Sequence, residues 1–207
     1  MRQLRHQEST MEKKPDRRTL KTRKALRNGL AELLAEKELR KITVQEISDK
    51  ADVNRVTFYK HCLDIYDLYD QLEKEILTEL GLIMLKYQEK PSEGFDKELV
   101  DYIEQNVVIF RMIFSPHATG ELKAKFSRMI EGLYRMLLTE KYNAKINDSR
   151  IDYFCTYHTQ GVIAILEKWV LDNFTQQKTF IIETISMLDN HNAALFAEQY
   201  PGEPPEP

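Results

Sequence analysis

The sequence predicts an all-α protein in which a small N-terminal helical domain precedes a larger helical domain. Apolar residues recur every three or four positions along most of the chain, which is the spacing of helices with one buried face. No segment shows the pattern of a convincing strand. Residues 43–62 read as two short helices around a tight turn, and 207 residues that are 42% hydrophobic are enough for a substantial core. We therefore expect helices from about residue 17 to residue 199.

The N-terminal segment changes character at residue 17. Residues 1–16 are polar, lack a periodic pattern and end in a basic stretch with a proline, so we expect a disordered basic tail, in which Met11 offers a second start. A helix is expected from Arg17 onward, with basic residues around its first turns. This helix should pack into a core while its first turns stay cationic. Its apolar face consists of Leu26, Leu30, Leu33 and Leu34.

Two short helices are expected within residues 43–62. Thr43 and Glu46 form a capping-box pattern at the start of the first helix, where each side chain can satisfy a free backbone N–H group. Asn54 is a good N-cap for a second helix, which we expect to run through His61. Between the helices, two polar residues around one valine suit a turn. The arrangement is a helix-turn-helix.

The second of these helices has a surface suited to nucleic acid. Phe58 is its inward anchor, while the residues around it supply donors for phosphates and base edges. Val56 would place an apolar side chain near a groove, where it either reads a thymine methyl group or simply packs. The residues predicted to contact DNA at this helix are Asn54, Arg55, Val56, Thr57, Tyr59, Lys60 and His61.

Charge is distributed unequally along the chain. The net charge is -3, yet residues 1–62 contain 16 Lys and Arg against 9 Asp and Glu, whereas the remaining residues contain 14 against 24. A basic surface attracts the phosphate backbone and an acidic remainder is repelled by it, so one orientation is favoured. Double-stranded DNA is the expected partner, and the alternative is an ordinary solvated basic surface.

A long helix is expected to follow the helix-turn-helix and to couple two domains. Asp64 caps it, and Pro91 stops it. We predict a DNA-binding domain over 17–80, a helical domain over 81–199 and a disordered, acidic, proline-rich tail over 200–207. The further helices are expected at Phe95 to Phe114, Gly120 to Tyr142, Ser149 to Asn173 and Thr175 to about Gln199.

Two apolar stripes in the last two helices are candidates for a dimer interface. Their residues recur every three or four positions, and two such stripes per subunit would make a four-helix bundle across a two-fold axis. A stripe alone does not reveal whose surface it meets, so an intramolecular core is the alternative. The candidates are Ile151, Cys155, Val162, Ile165, Trp169, Ile181, Ile185 and Leu188.

A second set of residues in the C-terminal domain could line a ligand chamber. Aromatic and methionine side chains with a few polar tips suit an apolar pocket, whose occupant would be a hydrophobic or amphipathic small molecule. Such residues at helical spacing more often form a plain core, which is the alternative here. The candidates are Tyr102, Phe110, Met112, Phe114, Phe126, Phe154, Tyr157 and His158.

Several classes of protein and site are not indicated. The sequence lacks glycine-rich phosphate loops, HExxH and GxSxG motifs and any Cys/His cluster, so neither an enzyme nor a metal or cofactor site is expected. Cys62 and Cys155 are far apart, which favours reduced, partly buried thiols. No apolar run approaches a membrane span and the N-terminus lacks a signal peptide's apolar core, so a cytoplasmic protein without a membrane partner is expected.

Residues 20–80 resemble the DNA-binding domain of the TetR/AcrR family of transcriptional regulators. The resemblance rests on the leucine-rich first helix, the TVQEISDKA helix and the string ADVNRVTFYKH at 51–61. It implies an all-α, homodimeric repressor that a small-molecule effector releases from a palindromic operator. It also implies that Arg55 and Thr57 face the groove, while Thr43, Tyr59 and His61 contact the DNA backbone.

Three positions depart from the family pattern. Asp52 replaces a turn glycine, and Asp tolerates a left-handed backbone better than most residues. Cys62 replaces a phenylalanine, so the small core loses volume. Ile65 replaces a lysine that commonly meets phosphate, so that contact should be absent.

The same fold allows a second function. A DNA-binding protein without a small-molecule effector would respond to a protein partner or act structurally on DNA. The genes beside this one would separate the two alternatives, because a divergent efflux pump or catabolic operon favours a ligand sensor.

Overall fold

The computed structural model of the chain describes residues 17–89, 94–142 and 149–199, and these form α-helices joined by short connections. They contain no strand, so the predicted all-α class is confirmed. The tails expected at 1–16 and 200–207 lie outside the described residues. The helices are α1 (Arg17–Glu36), α2 (Val44–Lys50), α3 (Arg55–Tyr59), α4 (Ile65–Glu89), α5 (Phe95–Gln105), α6 (Val107–Ile113), α7 (Glu121–Tyr142), α8 (Ser149–Leu171) and α9 (Lys178–Gln199), with a 3-10 turn at Leu39–Lys41 before α2.

The first three helices share one small core. Leu30, Ile47 and Phe58, one from each helix, are completely buried in it. α1 comes very close to α2 at Gly29, where an added Cβ atom would lie 3.2 Å from the Cβ atom of Lys50. A larger residue at this position would push the two helices apart, so the glycine helps to fix how α1 carries the helix-turn-helix.

α4 joins this core to the rest of the chain. Asp64 caps the helix as predicted, since its Oδ1 atom accepts from the backbone N–H of Asp67 at 2.8 Å. The helix packs against α1, α5 and α7. The domain boundary proposed at residue 80 therefore falls within one continuous helix. Cys62 is buried and borders a groove of about 480 Å³ between α1 and α4.

The predictions of where helices break and end were wrong at Asn106 and at Tyr59. The expected helix from Phe95 to Phe114 is broken at Asn106, whose backbone leaves the helical region (φ -122°, ψ 38°) and whose side-chain Nδ2 donates to the Tyr102 carbonyl at 3.0 Å. This side chain competes with the regular backbone ladder, so α5 ends there and α6 begins. α3 ends at Tyr59 rather than His61, because Lys60 is its C-cap.

The connection from α8 to α9 is a tight left-handed turn. Asn173 and Phe174 both have positive φ values, 56° and 58°, which is strained for residues with side chains. Side-chain contacts hold them there. The Arg111 Nη2 atom donates to Asn173 Oδ1 at 2.9 Å, and the Phe174 ring packs edge-on against Trp169 with 4.6 Å between centroids. The expected last helix therefore starts at Lys178, three residues later than predicted.

The α-helices beyond the N-terminal core pack around α8. α8 packs against α6, α7 and α9, and α5 packs against α9. The link back to the first helix is α6, which packs against α1, and the Ser115 hydroxyl donates to the Ala35 carbonyl at 3.1 Å. No helix of the described residues is long and apolar enough to cross a membrane.

Most of the stripe predicted for a dimer interface lies inside the single chain. Seven of its eight residues are buried or half-buried against their own chain, and only Leu188 is exposed. The physical reason is that α8 sits between α6, α7 and α9, so its apolar face is already covered. The seven enclosed residues are Ile151, Cys155, Val162, Ile165, Trp169, Ile181 and Ile185.

Trp169→Phe should therefore destabilise the fold of each chain. Trp169 is 3% exposed, and its indole Nε1 atom donates to the Gln176 carbonyl at 2.9 Å. Phenylalanine keeps an aromatic ring but removes the donor and some volume, so the free energy of unfolding should fall by about 1–3 kcal/mol. Urea unfolding measures this change.

Tyr66→Phe, at an exposed side chain of α4, is the control and should change the free energy of unfolding by less than about 0.5 kcal/mol. A Trp169→Phe protein as stable as the wild type would contradict the structural role of the indole.

Candidate nucleic-acid interface and effector cavity

The helix-turn-helix is closed by reciprocal capping bonds. The Glu46 backbone N–H donates to Thr43 Oγ1 at 3.2 Å, and the Thr43 backbone N–H donates to Glu46 Oε2 at 2.9 Å, so the predicted capping box is present. Lys37 Nζ also donates to Glu46 Oε1 at 2.5 Å, and chiefly this bond holds the pKa of Glu46 below its usual value. The start of α2 is therefore fixed by a charged carboxylate.

The turn and the start of α3 follow the predicted chemistry. Asp52 has a φ of 52°, the left-handed conformation in which it replaces glycine. Asn54 caps α3, because its Oδ1 atom accepts from the backbone N–H of Thr57 at 2.8 Å and from the Thr57 hydroxyl at 3.0 Å. These bonds fix the direction in which the short α3 helix leaves the turn.

The residues predicted to contact DNA surround one buried anchor. Phe58 is completely buried, and Val56 and Tyr59 beside it are 65% and 53% exposed. Thr57 and His61 are half-buried. Six of the eight candidates are exposed: Thr43, Asn54, Arg55, Val56, Tyr59 and Lys60. These six side chains are accessible to a DNA molecule outside the chain.

Basic residues of α1 extend the same region. Arg23 is close enough to His61 to influence its ionisation, so the start of α1 lies near the end of the helix-turn-helix. Arg17, Lys21 and Lys24 are exposed on the same first turns of α1. The sequence indicated a cationic end of α1 but did not place these residues among the DNA contacts. Proximity to His61 is the feature that only the fold reveals.

His61 has an unusual electrostatic position. Partial burial lowers its pKa below the usual 6.5, and the charges of Arg23 and Lys60 lower it further. The imidazole is therefore mostly neutral near pH 7. A phosphate group placed beside it would favour the protonated form.

A cavity of about 690 Å³ opens among α4, α5, α7, α8 and α9. His158 lies in its wall, with Nε2 2.8 Å from Asp189 Oδ1 and its ring stacked on Tyr134 at 3.5 Å between centroids. Ser186 and Asp96 also line the cavity, and the Ser186 hydroxyl donates to Asp96 Oδ2 at 2.8 Å. The volume falls in the range of small-molecule sites.

The predicted ligand residues mostly lie elsewhere. Of the eight candidates, His158 alone lines this cavity. The physical reason is that most of the other aromatic side chains pack on one another in the core, while some face outward. Phe110, Met112, Phe114 and Phe126 are buried in the core, Tyr102 donates to Glu79, Phe154 packs on Phe196, and Tyr157 is 71% exposed.

Several cavity residues were missed by sequence reasoning. Tyr87, Phe95 and Tyr134 supply aromatic wall, and Asp96 and Asp189 supply carboxylates. One signal was available in the sequence. Asp189 continues the apolar stripe of Ile182 and Ile185 in α9, and a charge on a buried helix face usually has a partner or a ligand.

The cysteines and acidic groups form no metal site in the described residues. Cys62 and Cys155 are both buried and free, and burial raises the pKa of each thiol to about 11. No group of His, Cys, Asp or Glu within the described ranges is arranged to hold a metal ion.

Comparison with known proteins identifies the family. The model of a TetR-type "transcriptional regulator C-terminal region" matches residues 89–190. An uncharacterized HTH-type transcriptional regulator, YxbF of Bacillus subtilis, is 34% identical over 74 residues, which are 35% of this chain, and the chain spans only about a fifth (20%) of that relative's length.

Two solved structures share the fold. A TetR transcriptional regulator from Streptococcus agalactiae is 22% identical, with a TM-score of 0.55 over 87% of this chain and 96% of its own. The dihydroxyacetone kinase operon activator DhaS is 18% identical, with a TM-score of 0.50 over 84% of this chain and 96% of its own. The match to the TetR-type C-terminal region, together with the helix-turn-helix, identifies the chain as a TetR-family transcriptional regulator, and the two solved structures share its fold.

Proposed function

We propose that the protein is a homodimeric repressor that binds a palindromic operator through α3 and leaves it when a small molecule occupies the α4–α9 cavity. The observation that carries this proposal is the capped helix-turn-helix, which exposes donor side chains of α3 beside a basic α1. The structural likeness to a TetR regulator supports the architecture.

The proposed operator contacts divide by chemistry. Arg55 is exposed at the first position of α3, where a guanidinium can reach a guanine edge in the major groove. Tyr59 and Lys60 at the other end of α3 suit phosphate contacts, which position the protein without reading sequence. Thr43 suits a third phosphate contact at the start of α2.

The proposed dimer interface uses the outer faces of α8 and α9. Because the inner faces of these helices are covered by their own chain, a partner must meet the exposed residues. They lie three, four or seven positions apart in α8 and one or seven positions apart in α9. They include Gly161, an exposed helix-interior glycine where an added Cβ atom would have no side chain and no other helix of its own chain within 4 Å. A glycine inside a helix lowers the stability of the helix by about 1 kcal/mol relative to alanine. Close approach of a helix from the partner subunit would explain why a glycine stands at this position. The exposed stripes are Tyr153, Tyr157, Gly161, Ala164 and Leu171 in α8, and Phe180, Met187, Leu188 and Leu195 in α9.

The proposed signal runs from the cavity to α1. α5 forms part of the cavity wall through Phe95 and Asp96 and connects through Asn106 to α6, which packs against α1. α4 gives a second route, because Tyr87 lines the cavity and Arg27 of α1 pairs with Glu75 of α4 at 2.6 Å. A ligand in the cavity would bind more tightly to the dimer with one spacing of its two α3 helices than to the dimer with another. This difference in binding free energy, typically about 1–3 kcal/mol, is the change in operator affinity that the ligand can cause.

Arg55→Ala should reduce sequence preference more than it reduces general DNA affinity. Loss of a bidentate contact to guanine should cost about 1–3 kcal/mol on the operator and relax one position in each half-site. Titrations on operator and random duplexes, at fixed salt, measure both effects. Arg128→Ala, at an exposed arginine of α7, removes the same charge and should leave operator binding unchanged. Equal losses on both duplexes for Arg55→Ala would instead make Arg55 a phosphate contact.

Operator affinity should rise as pH falls from about 7 to about 6. The pKa of His61 is lowered in the free protein, and a neighbouring phosphate would raise it in the complex, so the complex binds more protons than the separate molecules. Calorimetry in buffers of different ionisation enthalpy measures this proton uptake. His61→Gln should abolish the uptake, whereas His117→Gln, at an exposed histidine, should retain it. Equal uptake by wild type and His61→Gln would place the titrating group elsewhere.

Met187→Glu should separate the dimer without unfolding the chain. Met187 is 63% exposed in the single chain, so a carboxylate there is solvated in the monomer but left unpaired in a dry interface. Light scattering should give the 24.4 kDa chain for this variant and twice that mass for the wild type. Leu82→Glu, at a similarly exposed residue of α4, is the control and should remain dimeric. A wild-type monomer, or a dimer that survives Met187→Glu, would contradict this interface.

A further inference from the structure

The charges around the cavity are one-sided. Asp96, Asp189 and the exposed Glu140 all line it, and no Lys or Arg is among the described residues in its wall. We propose that the cavity binds an amphipathic organic amine, with its ammonium group between Asp96 and Asp189 and its apolar body against α7. This inference rests on the proposed effector role of the cavity and names the chemical class of the effector.

The hydrogen bonding of His158 leaves an acceptor for the ligand. Its side chain is only 7% exposed, and Nε2 lies 2.8 Å from an Asp189 oxygen. A carboxylate accepts, so Nε2 carries the hydrogen, and in the neutral ring Nδ1 is then an acceptor. Nδ1 is buried and has no partner in the protein. A buried polar atom without a partner is uncommon and costly, and an N–H group of a ligand would satisfy it.

Asp96 presents a second unbalanced group. The Ser186 hydroxyl donates to its Oδ2 atom, but a neutral donor does not compensate the charge. Burial raises the pKa of Asp96, the neighbouring Asp189 raises it further, and the Ser186 bond and His158 oppose this. An ammonium group near both carboxylates would offset the cost of burying Asp96 and the repulsion between the two acids.

The remaining wall suits the apolar part of such a molecule. Ile130, Leu133 and Leu137 give α7 an aliphatic surface in the cavity. Tyr87 and Phe95 pack together at 5.3 Å between centroids and close another side. An aromatic ring face also attracts a cation.

Other ligand classes fit these groups less well. A carboxylate would be repelled by Asp96 and Asp189, and it would bring no donor for an acceptor at His158 Nδ1. A neutral alcohol could donate one hydrogen bond but would leave the acidic pair uncompensated. The cavity should therefore select ligands mainly by their charge, and the size of the ligand's apolar part should matter less.

Three probes with the same apolar body test this inference on the full chain: 4-phenylbutylamine, 4-phenylbutanol and 5-phenylpentanoate. Calorimetric titration should show the amine binding at least about tenfold more tightly than the alcohol, and the acid binding most weakly.

Asp96→Asn should reduce the ratio of amine to alcohol affinity to near one. Asp189→Asn, which keeps an oxygen for His158, should reduce the same ratio and serves if Asp96→Asn is poorly folded. Glu98→Gln, two residues from Asp96 on α5 and paired with Lys86, removes equal charge outside the cavity and should keep the wild-type ratio.

The result that overturns the inference is equal or stronger binding of the alcohol or acid, binding of none of the three probes, or an unchanged affinity ratio in both aspartate variants. Operator release by each probe is measured separately by fluorescence anisotropy. An alcohol or acid that binds in the cavity and releases DNA would refute the amine preference and leave the proposed repressor function intact. An amine that binds with the predicted ratios but leaves the operator complex intact would support the preference and contradict effector control.

Discussion

The packing of α1 against both α2 and α6 is the contact on which the rest of the structure depends. On one side, Gly29 lets α1 approach α2 closely and so fixes the position of the helix-turn-helix. On the other, α6 covers α1, and Ser115 bonds the carbonyl of Ala35 near its end. The buried leucines of α1, including Leu26 and Leu30, belong to one continuous core that reaches the C-terminal helices. Movement of α6 therefore cannot leave α1 unaffected.

The C-terminal helices combine a tight core with a cavity whose wall contains incompletely satisfied polar groups. Most aromatic residues pack against one another, as Phe110 does with Phe114 and Phe126. Around the cavity, by contrast, His158 retains an acceptor and Asp96 retains a charge that its hydroxyl partner does not balance. Proteins tolerate such groups where something else completes them. The proposed effector site and the proposed amine preference both rest on this contrast.

The sequence predicted local structure better than it predicted which surfaces meet. The caps at Thr43, Asn54 and Asp64 depend on neighbours within three residues, so the residue pattern alone sufficed. Trp169 and Tyr157 show the limit. Helical spacing places a residue on a face but does not say whether its own chain covers that face, and here Trp169 is enclosed while Tyr157 is exposed. The break at Asn106 depends on competition between a side chain and the helix ladder, which periodicity does not record.

The most direct test of the central claim is hydroxyl-radical footprinting of the full chain on genomic DNA fragments that it captures. Two α3 helices related by a two-fold axis should protect two half-sites with inverted sequence, centred about 10 base pairs apart or a multiple of that spacing, since successive major grooves repeat at that interval. A single protected half-site, or protection spread evenly over fragments of unrelated sequence, would contradict a dimer that reads a palindrome through α3.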